Sequence, residues 1–513
     1  MNKSESTSRR LMRGSAIAWV RLGTGFGIQI VVTPVFLAFW SAKTYGIWLA
    51  IVAAASLIQI PGISHQQYVG YELMKTVTGR QRAFTRILRS AAWIGAAYGV
   101  LELFMACMIS AGLVVVLKGH GNQAFTSEAA WALIAMTVVS SLVWNWGGVW
   151  VRAAYALGYY PRTELYGVGD ALIRGLAPLI VTPFGAGIFE AAIVLMIALL
   201  TYNLACLFDM IKIIHPYLGN QSARWQLGVH NFIRSQLLSI RMMLEMARQQ
   251  GARLILVPLA GAEELAAFAT MRTGANAALQ GLGTIANPLT PELMRFLNQR
   301  DQARMEAAFS TIWVVVVAAM APSVVILQVI VAPLFRIWTH GKIQFDPILF
   351  ALLSLGVLVY AAAQPAMAVV QGNNLVRPQL ILAGLVGGVV MGGMFLLVPK
   401  VGIRGAGWSL LMGETVAAIG YVNEAAVWLN KNSLNWPGKA FHQVILSVLA
   451  AGTAMFGIAL FPRFHFGFLF VGLAMLTVIL VSYLRHLPLF IKQQMAAYLI
   501  RLPGGSRIAA ALI

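Results

Sequence analysis

Residues 14–40 read GSAIAWVRLGTGFGIQIVVTPVFLAFW, and residues 41–48 continue SAKTYGIW. The first stretch is long enough to cross the roughly 30 Å of bilayer hydrocarbon as a helix. Its one charged residue is Arg21. An arginine at mid-helix costs about 2.5–3.5 kcal/mol on insertion scales, so it faces a wet cavity, finds a partner or reaches the headgroups. The second stretch interrupts the apolar run at Ser41 and Lys43, then re-enters through Tyr45-Gly46-Ile47-Trp48 as a tight turn into the next span.

The rest of the chain repeats this pattern. Of 513 residues, 59% are hydrophobic and 11% charged, far from a soluble globular mixture. Hydropathy predicts about fourteen transmembrane helices, near 14–40, 45–70, 90–117, 129–156, 165–185, 188–210, 235–260, 264–288, 308–332, 347–370, 379–398, 406–430, 441–461 and 466–487. The expected fold class is therefore an all-α polytopic membrane protein. Charge divides the connectors into two sets. Arg9, Arg10 and Arg13, Lys75 to Arg89, Arg152 and Arg162, Lys212 to Arg234, Arg295 to Arg304, Arg377, Lys431 and Lys439 fall on one side. The other side holds little beyond Lys43, Lys118, Arg336, Lys342, Lys400, Arg404 and Arg463. Excess Lys and Arg mark cytoplasmic loops, which places both termini in the cytoplasm. The net charge of +20 is thus a topology signal, and no nucleic-acid partner is implied. The basic N-terminus lacks a small-residue cleavage site, so the first span is expected to be retained.

An offset of about 220 residues lays Ser41-Ala42-Lys43 on Gly261-Ala262-Glu263, and Arg21 on Arg241. This faint duplication divides the chain into two six-helix bundles, 1–210 and 211–430, plus an additional C-terminal helix pair and cytoplasmic tail, 431–513. Facing repeats around a central site are a transporter arrangement. The long connectors near 71–89, 211–234 and 289–307 are all cytoplasmic, and the opposite loops are too short for an outward catalytic domain.

Polar residues within the spans are the candidate site. Arg21 shares a face with Thr24 and Gly25. Span seven carries Arg234, Arg241, Glu245 and Arg248 on one stripe, and span eight carries Arg272, Asn276 and Gln280 on another. Arg21 and Arg241 lie close enough to the cytoplasmic ends to snorkel; Arg248 and Arg272 lie deeper. A cationic cavity suits phosphate esters, because the guanidinium fork matches phosphate oxygens. Asp170 and Arg174, one turn apart on span five, can pair directly; Asp170 and Glu245 are the carboxylates taken as ion-coupling candidates. Glu102, Glu190, Asp209, Glu414 and Glu424 are weaker ones, most of them near estimated span ends. Trp144, Trp146 and Trp150 read as an interfacial aromatic belt. The histidines, His65 among them, read as loop residues. No Walker loop, catalytic group or metal-ligand spacing is present, and Cys107 and Cys206 lie singly in apolar spans, so no enzyme activity, metal or cofactor is expected.

Arg10-Leu11-Met12-Arg13-Gly14-Ser15-Ala16 and Ser41 to Trp48 resemble the start of Wzx-type polysaccharide flippases of the multidrug/oligosaccharidyl-lipid/polysaccharide exporter superfamily. Pro61-Gly62-Ile63, Gly251-Ala252-Arg253-Leu254-Ile255-Leu256, Gly261-Ala262-Glu263-Glu264-Leu265, Pro288 and Pro291, and Gly402-Ile403-Arg404-Gly405-Ala406-Gly407 also fit. The resemblance implies translocation of an undecaprenyl-pyrophosphate-linked oligosaccharide across the bacterial inner membrane for O-antigen, lipopolysaccharide or exopolysaccharide biosynthesis. It further implies coupling to H+ or Na+, possible association with polysaccharide polymerase machinery, and arginines such as Arg21, Arg248 and Arg272 holding the pyrophosphate. Ile60-Pro61 and Ala252 stand where family members often carry an acidic residue, which bears on the coupling. The rival readings are a drug or small-cation exporter of the same fold, which calls for an acidic cavity, and a membrane glycan polymerase or ligase, which calls for a large outward loop.

On a background lacking Cys107 and Cys206, single cysteines at Arg300 and Arg377 are expected to resist an impermeant thiol reagent added outside intact cells. Those at Lys118 and Lys342 are expected to react.

Overall fold

The computed structural model describes residues 7–76, 81–117, 123–246, 252–373 and 375–485, and every regular element among them is helical. The chain divides into two compact units, Met1–Ala266 and Ala267–Ile513. The first unit holds α1 (Thr7–Phe39), α2 (Ala42–Ile58), α3 (Ile60–Thr76) and α4 (Gln81–Leu117). It continues with α5 (Gln123–Val139), α6 (Asn145–Ala156), α7 (Tyr160–Leu176), α8 (Ile188–Ile214), α9 (Trp225–Met246) and α10 (Ala252–Ala260). A π-turn, Ser140–Trp144, joins α5 to α6. Helix α11 (Ala262–Asn298) starts in the first unit and continues into the second. The second unit then holds α12 (Gln302–Val315), α13 (Ala321–Trp338), α14 (Pro347–Gly372) and α15 (Val376–Val401). It closes with α16 (Ile403–Lys431), α17 (Gly438–Leu460) and α18 (His465–Arg485).

Each expected span coincides, among the described residues, with a helix or with two helices consecutive in the chain. Among the described residues, nine helices are individually long and apolar enough to cross a bilayer, or up to ten if α2 and α3, bent by 43°, count as one span. The expected spans that fall short are α1, α9 with α10, α11 and α16, and the first three of these carry all the candidate arginines and Glu245. Several connectors are shorter than hydropathy suggests. The 71–89 loop is largely helix, since α3 runs to Thr76 and α4 begins at Gln81. The 289–307 loop is likewise mostly the end of α11 and the start of α12. Apolarity ends at the hydrocarbon boundary, whereas backbone hydrogen bonding carries a helix on into water.

Local chemistry sets the ends. Ser41 accepts from the Thr44 backbone N–H at 3.1 Å and opens α2; Asp301 accepts from that of Arg304 at 3.0 Å and opens α12. Asp346 caps α14 through Ile348 and Leu349, at 2.9 and 3.1 Å, and its second oxygen takes a 2.7 Å bond from Arg404 at the head of α16. Gly261 closes α10 at φ 95°, its N–H reaching the carbonyl of Val257 at 3.0 Å. That left-handed conformation favours glycine.

Burial runs as lipid requires. The apolar window of α18 is only 11% buried, and Phe466, Phe470, Val471 and Val478 lie exposed on it. Trp93, Phe104, Phe208 and Ile337 are exposed elsewhere. Such a surface is foreign to a water-soluble monomer and natural in hydrocarbon. In the first unit α3 packs on α6 and α9, α4 on α5 and α6, and α1 on α7. In the second, α16 packs on α14 and α15, and α17 on α13, α14 and α18. Trp313, fully buried, donates to the Ala362 carbonyl at 2.9 Å, and Tyr483 of α18 donates to that of Ser310 at 3.0 Å. Trp313→Ala is expected to lower stability by about 3–5 kcal/mol through the cavity and the lost bond, measured as a lower thermal midpoint of the detergent-solubilised protein.

Candidate functional site

The stretch that opens the chain forms a rigid corner. Helix α1 ends at Phe39, one bend follows at Trp40–Ser41, and α2 is already helical from Ala42. Tyr45-Gly46-Ile47-Trp48, expected as a turn, is therefore the first turns of a helix; the Ser41 cap needs only one residue of non-helical backbone. Around the corner Phe36 stacks on Trp40 at 4.5 Å, with Tyr45 and Trp48 within 5.7 Å. Trp40 donates to the Ala186 carbonyl at 2.8 Å, and the hydroxyls of Tyr45 and Thr33 hydrogen bond at 3.1 Å. Gly46 touches the equivalent corner between α10 and α11: a Cβ there would lie 1.7 Å from the backbone oxygen of Ala262. The two turns that the duplication aligns thus pack directly against each other within the first unit.

Arg253 lies just inside α10, with its Nε buried and without a hydrogen-bond partner among the described residues. It is within electrostatic reach of the Tyr45 hydroxyl. Arg253 is not among the expected cavity residues, although a charge directly before the apolar run Leu254–Ala260 was the available signal.

Of the predicted cavity residues, Arg248 lies outside the described residues altogether, and so do the side chains of Arg21, Arg241, Glu245 and Gln280. Arg272 and Asn276 are described: both are half-buried, one turn apart on the same face of α11. Two residues beyond Arg272, a Cβ added at Gly274 would lie 3.6 Å from the Phe350 ring on α14. In the first unit Asp170 receives a 2.7 Å bond from Arg174 Nε, the pairing that their spacing predicts.

Other polar residues differ from expectation. Glu102, one of the weaker coupling candidates, lies in the middle of α4 and is fully buried. His65 is no loop residue: it is buried in α3, its Nε2 3.2 Å from the Ala91 carbonyl. Trp144 and Trp146 surround the π-turn in mid-span instead of forming a belt at its ends. Asp209 accepts bonds from Arg162, at 2.5 Å, and from the Tyr166 hydroxyl; Glu190 accepts from the Gly187 N–H at 2.8 Å and caps α8. No group of His, Cys, Asp and Glu among the described residues has the geometry of a metal site.

This is the architecture of a multi-pass, all-helical membrane protein. No protein-family model and no curated protein sequence matches the chain. Solved structures do. The lipid II flippase MurJ in an inward closed conformation superposes with a TM-score of 0.62 at 14% identity, over 92% of this chain and 98% of that one. An inward-facing multidrug-resistance MATE transporter of the MOP superfamily gives 0.59 at 12% identity, over 81% and 99%. A MOP-superfamily transporter from Pyrococcus furiosus, described by the reverse polarity of its binding pocket, gives 0.51 at 15% identity, over 83% and 94%. At these identities the likeness is one of fold: the chain shares the fold of these three solved proteins.

Gly46→Ala is expected to destabilise the protein by about 1–3 kcal/mol, because the new methyl meets the Ala262 backbone, which cannot rotate away. Its thermal midpoint should fall, while that of Gly23→Ala, where the added Cβ meets nothing within 4 Å, should not fall comparably.

Proposed function

We propose that this chain is a flippase for lipid-linked glycans, moving an undecaprenyl-pyrophosphate-linked oligosaccharide across the bacterial inner membrane by ion-coupled alternating access. The observation that carries the reading is the sign of the intramembrane charge. Arg272, half-buried beside Asn276 on α11, and the further basic positions Arg21, Arg241 and Arg248 offer cationic donors where a pyrophosphate needs them. Gln280 continues the α11 face by spacing. The fold supports the same reading, since the chain covers nearly all of a protein named as a lipid II flippase. In this proposal the chain comprises two bundles, with boundaries near residues 210 and 430, and both termini face the cytoplasm. Glu245 and Asp170 couple transport to H+ or Na+, the polymerase machinery receives the product, and no step requires catalysis by the chain.

A multidrug exporter is the second reading, favoured by the similarity to a MATE transporter. The charge separates the two: an exporter of organic cations needs carboxylates facing the cargo, and basic residues repel it.

Arg248→Ala and Arg272→Ala, expressed to wild-type levels in a host whose own flippase is deleted, are expected to reduce surface glycan roughly tenfold or more. A charge-assisted hydrogen bond is worth about 1.5–3 kcal/mol, and 1.4 kcal/mol is about a factor of ten. Unchanged surface glycan in both variants sinks the assignment, and resistance to cationic drugs conferred by the wild type establishes the alternative.

A further inference from the structure

Glu102 occupies the centre of a built polar site within the first unit. It lies in mid-α4, inside the apolar span Gln81–Gly112, and is fully buried. Its two oxygens are held by the two ends of the π-turn. Oε1 lies 2.5 Å from Ser140 Oγ, and Oε2 receives the Asn145 amide N–H at 2.5 Å. The hydrogens decide what this means. Ser140 Oγ also lies 2.8 Å from the Thr137 carbonyl, which is only an acceptor. A serine hydroxyl has one hydrogen to donate. If it goes to the Thr137 carbonyl, the hydrogen between Ser140 Oγ and Glu102 Oε1 has to come from Glu102 itself.

The surroundings agree. No ion pair reaches Glu102 among the described residues, and burying an ionised carboxylate without a partner is costly enough that such groups neutralise. The groups facing it are the Ser140 and Ser141 hydroxyls and the Asn145 amide from the turn, and Tyr98 from its own helix. The Tyr98 hydroxyl is committed to the Ile58 carbonyl at 3.1 Å. His65 on α3 and Phe232 on α9 pack beyond Tyr98, and His65 is engaged with the Ala91 carbonyl.

The site is also mechanically tied to the π-turn. A Cβ on Gly99 would lie 2.0 Å from the Ser141 carbonyl oxygen, and one on Gly95 would lie 2.3 Å from that of Asn145, so α4 rests directly on the turn's backbone. The wide turn's carbonyls find side-chain donors: Gln66 Nε2 at 3.0 Å from Trp144 O and Trp146 Nε1 at 2.7 Å from Leu142 O. Converting the π-turn to α-helix removes one residue of register, a rotation of about 100°. That rotation carries Asn145 away from Ser140 and breaks the clamp that both place on one carboxyl.

We propose that Glu102 is a proton-binding site, occupied as the neutral acid in this conformation and emptied when the Ser140–Trp144 turn is remodelled. On emptying, the Glu102 O–H bond breaks and the proton passes to water. The carboxylate keeps the electron pair, and the Ser140 hydrogen turns from the Thr137 carbonyl to Oε1. The site stands apart from Glu245 and Asp170 and from the identity of the cargo, because its readout is the proton itself.

The test uses the full chain in lipid nanodiscs. Infrared spectra at neutral pH should show a protonated-carboxyl C=O band that E102Q lacks; the amide can imitate the neutral acid's hydrogen bonds, so the variant should fold. Raising the pH should change the tryptophan fluorescence of the wild type, with Trp144 and Trp146 beside the turn, more than that of E102Q. If E102Q does not fold, S140A carries the test: it keeps the carboxyl but removes its acceptor, and the band should shift. Identical carboxyl spectra in wild type and E102Q overturn the proposal. So do identical fluorescence profiles, or an unshifted band in S140A when that variant carries the test.

Discussion

Hydrocarbon offers a peptide group nothing to bond to, and that constraint organises this protein. A helix satisfies its own backbone, so spans are easy; each interruption within a span has to bring its own partners. The π-turn at Ser140–Trp144 does so with Gln66 from α3 and Trp146 from its own helix, and with Glu102 holding its two ends. The corner at Trp40–Ser41 does so with the Ser41 cap, and the corner at Gly261 with a glycine that reaches back to Val257. At these breaks, then, polar side chains stand in for the missing helical hydrogen bonds.

The same constraint explains the glycines at helix contacts. Between helices in lipid the hydrophobic effect gives no advantage over lipid tails, and close packing supplies the attraction instead. Gly46 against Ala262, and Gly95 and Gly99 against the π-turn, let backbone meet backbone. These contacts join a geometric joint to a chemical one. The helix that carries the buried acid is the helix that rests on the wide turn, so the protonation of one and the shape of the other are linked by contact.

Much of the fold was legible beforehand. Apolar length located the helices, because a span needs a minimum of hydrocarbon-compatible sequence, and the faint duplication located two equivalent corners, at Ala42 and Ala262. Legibility failed where polarity and structure part company. The basic stretch 81–89 is the start of α4, although it looks like a loop, and no local pattern around Glu102 announces the distant turn that holds its carboxyl. For the candidate site, the spacing of Arg272 and Asn276 was readable as one helical face, and the pairing of Asp170 with Arg174 as one turn. Arg253 was not, because its burial depends on which helices surround α10.

The amino-acid sequence alone determined the solvent of this protein, its helical class and the approximate positions of its spans. Those properties follow from composition and periodicity, which act along the chain. The tertiary structure decided where helices bend, which glycines must stay small and which acid has lost its water. Those depend on residues far apart in the chain meeting in space: Gly46 with Ala262, Glu102 with Asn145, Gln66 with Trp144. No local pattern encodes such meetings, because each is the joint outcome of several helices packing at once.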